Sequence, residues 1–117
     1  MFKTIEWRIF INTTTKEKAH RVITRLSEEI GEIETLSLEP YWKDKTKYEL
    51  VCKTKLQIDE PEKAVFYVLQ LASHLGNEIS VFGPFIYEEK HIESDGLCSL
   101  PKIVGLNWFH FNIDNFR

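Results

Sequence analysis

The alternation between Phe2 and Asn12 constrains the fold most. Ile5, Trp7, Ile9 and Ile11 are large and apolar, while Thr4, Glu6 and Arg8 between them are polar. Successive side chains of a strand point to opposite faces, so this spacing predicts a strand with one side on a core and the other toward solvent. Phe10 interrupts the polar side and requires a cover of its own.

The chain after this strand reads as helix, hairpin, helix, strand. Thr14 followed three residues later by Glu17 predicts a capping box. Ala19, Val22, Ile23, Leu26 and Ile30 then share one helical face, and Gly31 suits a C-terminal cap, which predicts a helix over residues 15–30. Two strands are expected over residues 33–42 and 47–58, joined by a polar turn at 43–46. Pro40 lacks a backbone donor and places the first of them at a sheet edge. Pro61, with acidic neighbours, opens a second helix, whose core stripe is Ala64, Val65, Val68, Leu69, Ala72 and Leu75, widened by Tyr67 and Leu71. Gly76 ends it. A fourth strand is expected over residues 78–87, with Ile79, Val81 and Phe85 on one side, Phe82 and Ile86 on the other, and a bulge or edge position at Gly83-Pro84. Residues 88–101 read as a polar loop. Residues 106–113 read as an aromatic strand that joins an edge or lays its rings on the core.

This order predicts an α+β protein, a ferredoxin-like βαββαβ sandwich in which an antiparallel sheet carries two helices on one face and gains an extra C-terminal strand. The first and third strands are expected in the centre. The 117 residues form one domain, with its core over residues 2–88 and the C-terminal loop and strand over 89–117.

Composition narrows the function. No apolar run approaches the roughly 20 residues needed to span a bilayer, and the alternating N-terminus carries Glu6 and Arg8, unlike a signal peptide. Cys52, in a strand, and Cys98, in the loop, make no disulfide framework, so a cytoplasmic protein is expected. The net charge of −3 is divided unevenly: residues 1–58 hold eleven basic and nine acidic side chains, residues 59–117 four and nine. An acidic pole of this kind speeds association with a basic partner.

Catalytic and cofactor signatures are missing. His91, Cys98 and His110 lack a chelating spacing, so no metal and no cofactor is expected. The connection Asn12-Thr13-Thr14-Thr15 has neither the Gly nor the Arg of an acylphosphatase anion loop, and Glu88-Glu89 on one strand end would point apart, which is poor geometry for acid–base work. The chain is not expected to be an enzyme. Phe10 is the one ring on the outward side of the central strands, too few for an RNA-stacking platform. The lysines at 43, 45, 47, 53 and 55 protect an edge hairpin from aggregation rather than mark a nucleic-acid site. Phe10, Phe82 and Ile86, on the face away from the helices, need cover from the C-terminal rings Trp108, Phe109 and Phe111, from a second copy, or from another protein.

A small, acidic α+β chain that ends Gly105-Leu106-Asn107-Trp108-Phe109-His110-Phe111-Asn112-Ile113 resembles the immunity proteins of bacterial contact-dependent growth inhibition systems. The resemblance lies in the whole-chain layout. It implies that the protein binds a cognate toxin domain, commonly a basic nuclease and often one acting on transfer RNA, and blocks its active site. Binding residues are then expected in the acidic segment Glu88, Glu89, Glu93 and Asp95, and next at the hairpin tip, Trp42 and Asp44. The partner is protein, without direct nucleic-acid or membrane contact. The alternative is a ligand-binding or regulatory ferredoxin-like module acting as a homodimer, which would need an open pocket at a strand-to-helix loop.

Overall fold

A computed structural model describes residues 1–116. In chain order they form β1 (Phe2–Ile11), α1 (Lys16–Ile30), β2 (Glu34–Pro40), β3 (Tyr48–Ile58), α2 (Pro61–Leu75), β4 (Gly76–Asn77), β5 (Ser80–Ile86), a 3-10 turn (Glu88–Lys90), β6 (Ile92–Cys98), β7 (Leu100–Pro101) and β8 (Leu106–Asp114). Six strands build one antiparallel sheet in the order β2-β3-β1-β8-β6-β5; β4 and β7 pair separately. The protein is therefore α+β, with two helices against a six-stranded antiparallel sheet. No helix among the described residues is long and apolar enough to cross a membrane.

The alternation of β1 sets the two faces. Ile5, Trp7, Ile9 and Ile11 are fully buried and meet the apolar side of both helices: Ala19, Val22, Leu26 and Ile30 from α1, and Ala64, Val68, Ala72 and Leu75 from α2. Their ladder partners extend the same surface, Tyr48, Leu50, Cys52 and Thr54 on β3 and Leu106, Phe109, Phe111 and Ile113 on β8. Thr54 is the polar member, and its hydroxyl accepts the Trp7 indole N–H at 2.9 Å inside the core. Gly96 on β6 has no side chain because the Phe111 ring occupies that space.

Four expectations are corrected. The helix cap is Thr15, whose hydroxyl accepts from Lys18 N at 3.4 Å, so the Thr14–Glu17 box does not form. The strand after α2 is not β1's neighbour. β8, apolar on one side and carrying Trp108 on the other, takes the place beside β1, and β5 goes to the far edge. Residues 92–98 are a strand rather than a loop, and Cys98 is buried on it. Last, the extra residue of the bulge between Phe82 and Phe85 puts both opposite acidic partners on β6, Asp95 and Glu93, while Ile86 faces Ile92. Phe82 and Phe85 therefore share one face, and Ile86 leaves it.

The helix ends follow their local chemistry. Gly31 closes α1 at φ 89°, a conformation that other residues adopt only with strain, and its N–H returns to Ser27 O. Pro61 starts α2 where no N–H partner is needed, and β2, which ends at Pro40, is an edge strand as expected.

Replacing Thr54 by Val keeps the shape but leaves the buried indole N–H of Trp7 without an acceptor. Urea unfolding is expected to show a loss of about 1–3 kcal/mol for Thr54→Val, and most of that loss should vanish when Trp7→Phe is made in the same chain.

Candidate functional site

The face opposite the helices carries no second layer among the described residues. Across it, from β3 to β5, run Glu49, Val51 and Lys53; Glu6, Arg8 and Phe10; Trp108, His110 and Asn112; Glu93 and Asp95; and Phe82 and Phe85. Phe10 is covered by the chain itself. Its ring stacks on Trp108, with centroids 4.2 Å apart and planes at 18°, and takes the edge of Tyr41 at 4.7 Å. Of the three C-terminal rings expected to provide cover, Trp108 alone does so; Phe109 and Phe111 face the helices.

The polar centre of this face is Asn112, which is buried on β8. Its amide nitrogen donates to Glu93 Oε1 at 2.9 Å and also to Asp95 Oδ1, so one amide holds two carboxylates two residues apart on β6. The amide oxygen of Asn112 finds no partner among the described residues. His110 Nε2 lies 3.8 Å from Asp95 Oδ1. Two carboxylates side by side repel each other, and a shared donor that remains in place fixes both for an incoming cation.

Beyond Glu93, a shallow cleft is lined by Ile86, Tyr87, Glu88, His91 and Glu93. His91 Nε2 is 2.8 Å from Asp114 Oδ2, and its ring stacks on Phe116 at 4.5 Å. His91, Glu93 and Asp114 bring their ligand atoms within 4.8 Å of one another and are the group that could hold a metal among the described residues. Their closeness already has a cause in the His91–Asp114 pair. His91, Cys98 and His110 do not converge: Cys98 lies on the helix side, its thiol toward Asn77 O at 3.1 Å, while His110 lies on the uncovered face.

The candidate binding residues fall into three places. Glu93 and Asp95 lie on β6 facing the uncovered side, instead of in a loop. Glu88 and Glu89 are exposed on the 3-10 turn at the end of β5, with Glu89 at φ 58°. Trp42 and Asp44 occupy the β2–β3 turn, at the opposite edge and the opposite end of the strands. The acidic segment and the hairpin tip thus form separate surfaces.

At the tip, Trp42 is 74% exposed, with Lys43 Nζ 5.0 Å from its ring. Asp44 is engaged in the turn itself: its carboxylate accepts from Lys47 Nζ at 2.7 Å, Thr46 Oγ1 at 2.5 Å and Thr46 N at 3.0 Å. These contacts, the Lys47 bond first, lower its pKa from 3.8 to about 2. Asp44 is a turn former, and Trp42 is the exposed group there.

Sequence reasoning missed Asn112 and the pairing of Phe82 with Phe85. A signal for Asn112 was present, since a polar residue alternating with Phe109, Phe111 and Ile113 in a central strand has to find polar partners across the ladder. Beside β3, a cavity of about 640 Å3 is lined by Thr4, Ile30, Gly31, Lys53, Thr54 and Tyr67, among others. It opens where α1 passes into β2, not at either strand-to-helix loop.

No protein-family model matches the chain, and no curated protein or solved structure is significantly similar to it.

Two outcomes check this description. Carbon-13 titration of Asp44 should give a midpoint near about 2, well below 3.8. Because the folded value is the lower one, the contribution of this turn to stability is complete above 3.8 and is lost as pH falls through about 2. Burial raises the Cys52 thiol to about 12, so a disulfide-exchange reagent at neutral pH should label it only on unfolding.

Proposed function

We propose that the chain is an immunity protein of the contact-dependent growth inhibition type. It binds a cognate toxin domain, a basic nuclease and in particular one acting on transfer RNA, and it occludes that domain's active site in the cytoplasm. We further propose that the fold is ferredoxin-like. β2-β3-β1-β8 with α1 and α2 on one face has the strand order of a ferredoxin-like βαββαβ unit, with β5 and β6 inserted before the last strand.

The observation that carries the reading is the β5–β6–β8 part of the uncovered face. Glu93 and Asp95 are held in place by one amide, and Phe82 and Phe85 remain exposed beside them. Apolar rings next to oriented carboxylates suit recognition of a protein that grips phosphate, because the carboxylates take the place of phosphate oxygens opposite its Arg and Lys side chains. Each charge-assisted pair of this kind contributes about 1.5–3 kcal/mol. Glu88 and Glu89 extend the acidic surface past the end of β5, and Trp42 provides a second contact at the far corner. The reading assigns no catalytic step and no cofactor to the chain.

The reading predicts a toxin domain encoded immediately upstream, and that domain is the natural test. Its addition should raise the melting temperature of the chain, and the chain should abolish its nuclease activity. Reversing Glu88, Glu89, Glu93 and Asp95 to Lys should weaken binding by at least about a hundredfold in a variant that circular dichroism shows to be folded. Unchanged affinity in this variant sinks the acidic-mimic mechanism.

The alternative reading is a ligand-binding or regulatory module acting as a homodimer, but the cavity lies at the α1–β2 junction and not at the strand-to-helix loop that such a module needs. A dimer by light scattering that gains thermal stability from a small metabolite would support it over the first.

A further inference from the structure

The uncovered face builds one arrangement in two places. On its β1–β3 half, Phe10 is registered opposite Glu49, and Arg8 serves both. The Arg8 guanidinium carbon lies 5.7 Å from the Phe10 ring centroid, and its Nη2 and Nε reach Glu49 Oε2 at 2.8 and 2.9 Å. On the β5–β6 half, Phe82 is registered opposite Asp95 and Phe85 opposite Glu93, the same ring-and-carboxylate pairing twice over. Among the described residues no Lys or Arg completes either pair. Asp95 and Glu93 have the Asn112 amide, and Asp95 also has His110 at 3.8 Å. The rings are 48% and 45% exposed.

We propose that Phe82, Phe85, Glu93 and Asp95 form a receiving site for arginine side chains of a basic partner protein. A guanidinium is planar and weakly hydrated, so it can lie over an aromatic ring and reach a carboxylate at once, as Arg8 does within this chain over Phe10 with two nitrogens on Glu49 Oε2. An ammonium is a compact, strongly hydrated charge and fits this geometry less well. Asn112 orients both carboxylates before a partner arrives, which lowers the ordering cost of binding. Charge selects the occupant. Residues 76–101 carry five carboxylates and one lysine, so a second copy docked here would bring like charges together, whereas an arginine-bearing protein would neutralise them. The site deepens the inhibitor reading and rests on it for the partner's identity.

Two probes test the site separately from that reading. The first is a capped Gly-Arg-Gly-Arg-Gly peptide and its lysine counterpart, titrated into the nitrogen-15-labelled full chain. The arginine peptide should shift amides of β5 and β6 and bind at least about threefold tighter than the lysine peptide, and Phe82→Ser/Phe85→Ser should remove the difference. Equal shifts from both peptides overturn the proposal.

The second probe is the upstream-encoded toxin domain. Phe82→Ser/Phe85→Ser and Glu93→Gln/Asp95→Asn should each weaken binding at least about tenfold, while Glu17→Gln/Glu28→Gln on α1 changes it less than about twofold. Circular dichroism and urea midpoints of all variants verify that the fold is kept. Equal affinity across the variants overturns the site but leaves the inhibitor reading standing. A toxin domain that fails to bind the parent chain overturns the inhibitor reading, and the peptides alone then decide the site. A dimer seen by light scattering that Phe82→Ser/Phe85→Ser dissolves assigns the face to a second copy and overturns the proposal.

Discussion

The rest of the structure depends on the burial of Trp7. A fully enclosed indole supplies more apolar surface than any other side chain in this core, but it brings an N–H that has to be satisfied there. Thr54 meets that need from β3, and the bond is possible only when Ile5 is registered opposite Thr54 and Trp7 opposite Cys52. A slip of one residue would strand the N–H and turn the alternation of β1 inside out. From the other side, Phe109 and Phe111 of β8 meet the indole with centroids 6.0 and 5.7 Å away. One side chain thus ties three adjacent strands in register and defines which face the helices cover.

With that face settled, the other face is free to carry charge. Its β1–β3 half is internally matched: Arg8 with Glu49, Glu6 opposite Lys53, Phe10 between Trp108 and Tyr41. Its β5–β6 half is acidic and apolar together, a combination that a folded surface seldom needs for itself. The asymmetry follows from the distribution of charge along the strands, because their basic residues, Lys3, Arg8, Lys53 and Lys55, lie on β1 and β3, while the β5–β6 hairpin carries Glu88, Glu89, Glu93 and Asp95 against Lys90 alone.

Much of this was legible in the residues. Both helices, their core stripes, the hairpin and the edge position of β2 followed from periodicity and from Gly31, Pro40 and Pro61, whose backbone chemistry acts locally. What was not legible depended on long-range competition. β5 and β8 both have large apolar side chains, and nothing local says which of them sits beside β1. β8 wins because Phe109 and Phe111 contact Trp7 while Trp108 covers Phe10, so both of its faces are useful there. The candidate site was legible as a composition, the run of carboxylates from Glu88 to Asp95, but not as a geometry. Asp95-Gly96 resembles a turn, and only the fit of Phe111 against Gly96 shows why glycine belongs in a strand. The role of Asp44 within the turn was not legible either, because the contacts of its exposed carboxylate with Lys47 and Thr46 depend on the turn's geometry.

The position of β8 also governs cooperativity. The β5–β6 hairpin reaches the rest of the sheet only through β8, which is the last strand of the domain in sequence and yet lies in the interior of the sheet. Until β8 docks, β1 lacks one flank and the hairpin has no ladder to join, so no contiguous early segment amounts to a complete folding unit. Folding is governed by contacts far apart in sequence, which makes closure slow and all-or-none. The amides of β8 should therefore exchange hydrogen only through global opening, and the ring-and-carboxylate face should exist only in the fully assembled protein.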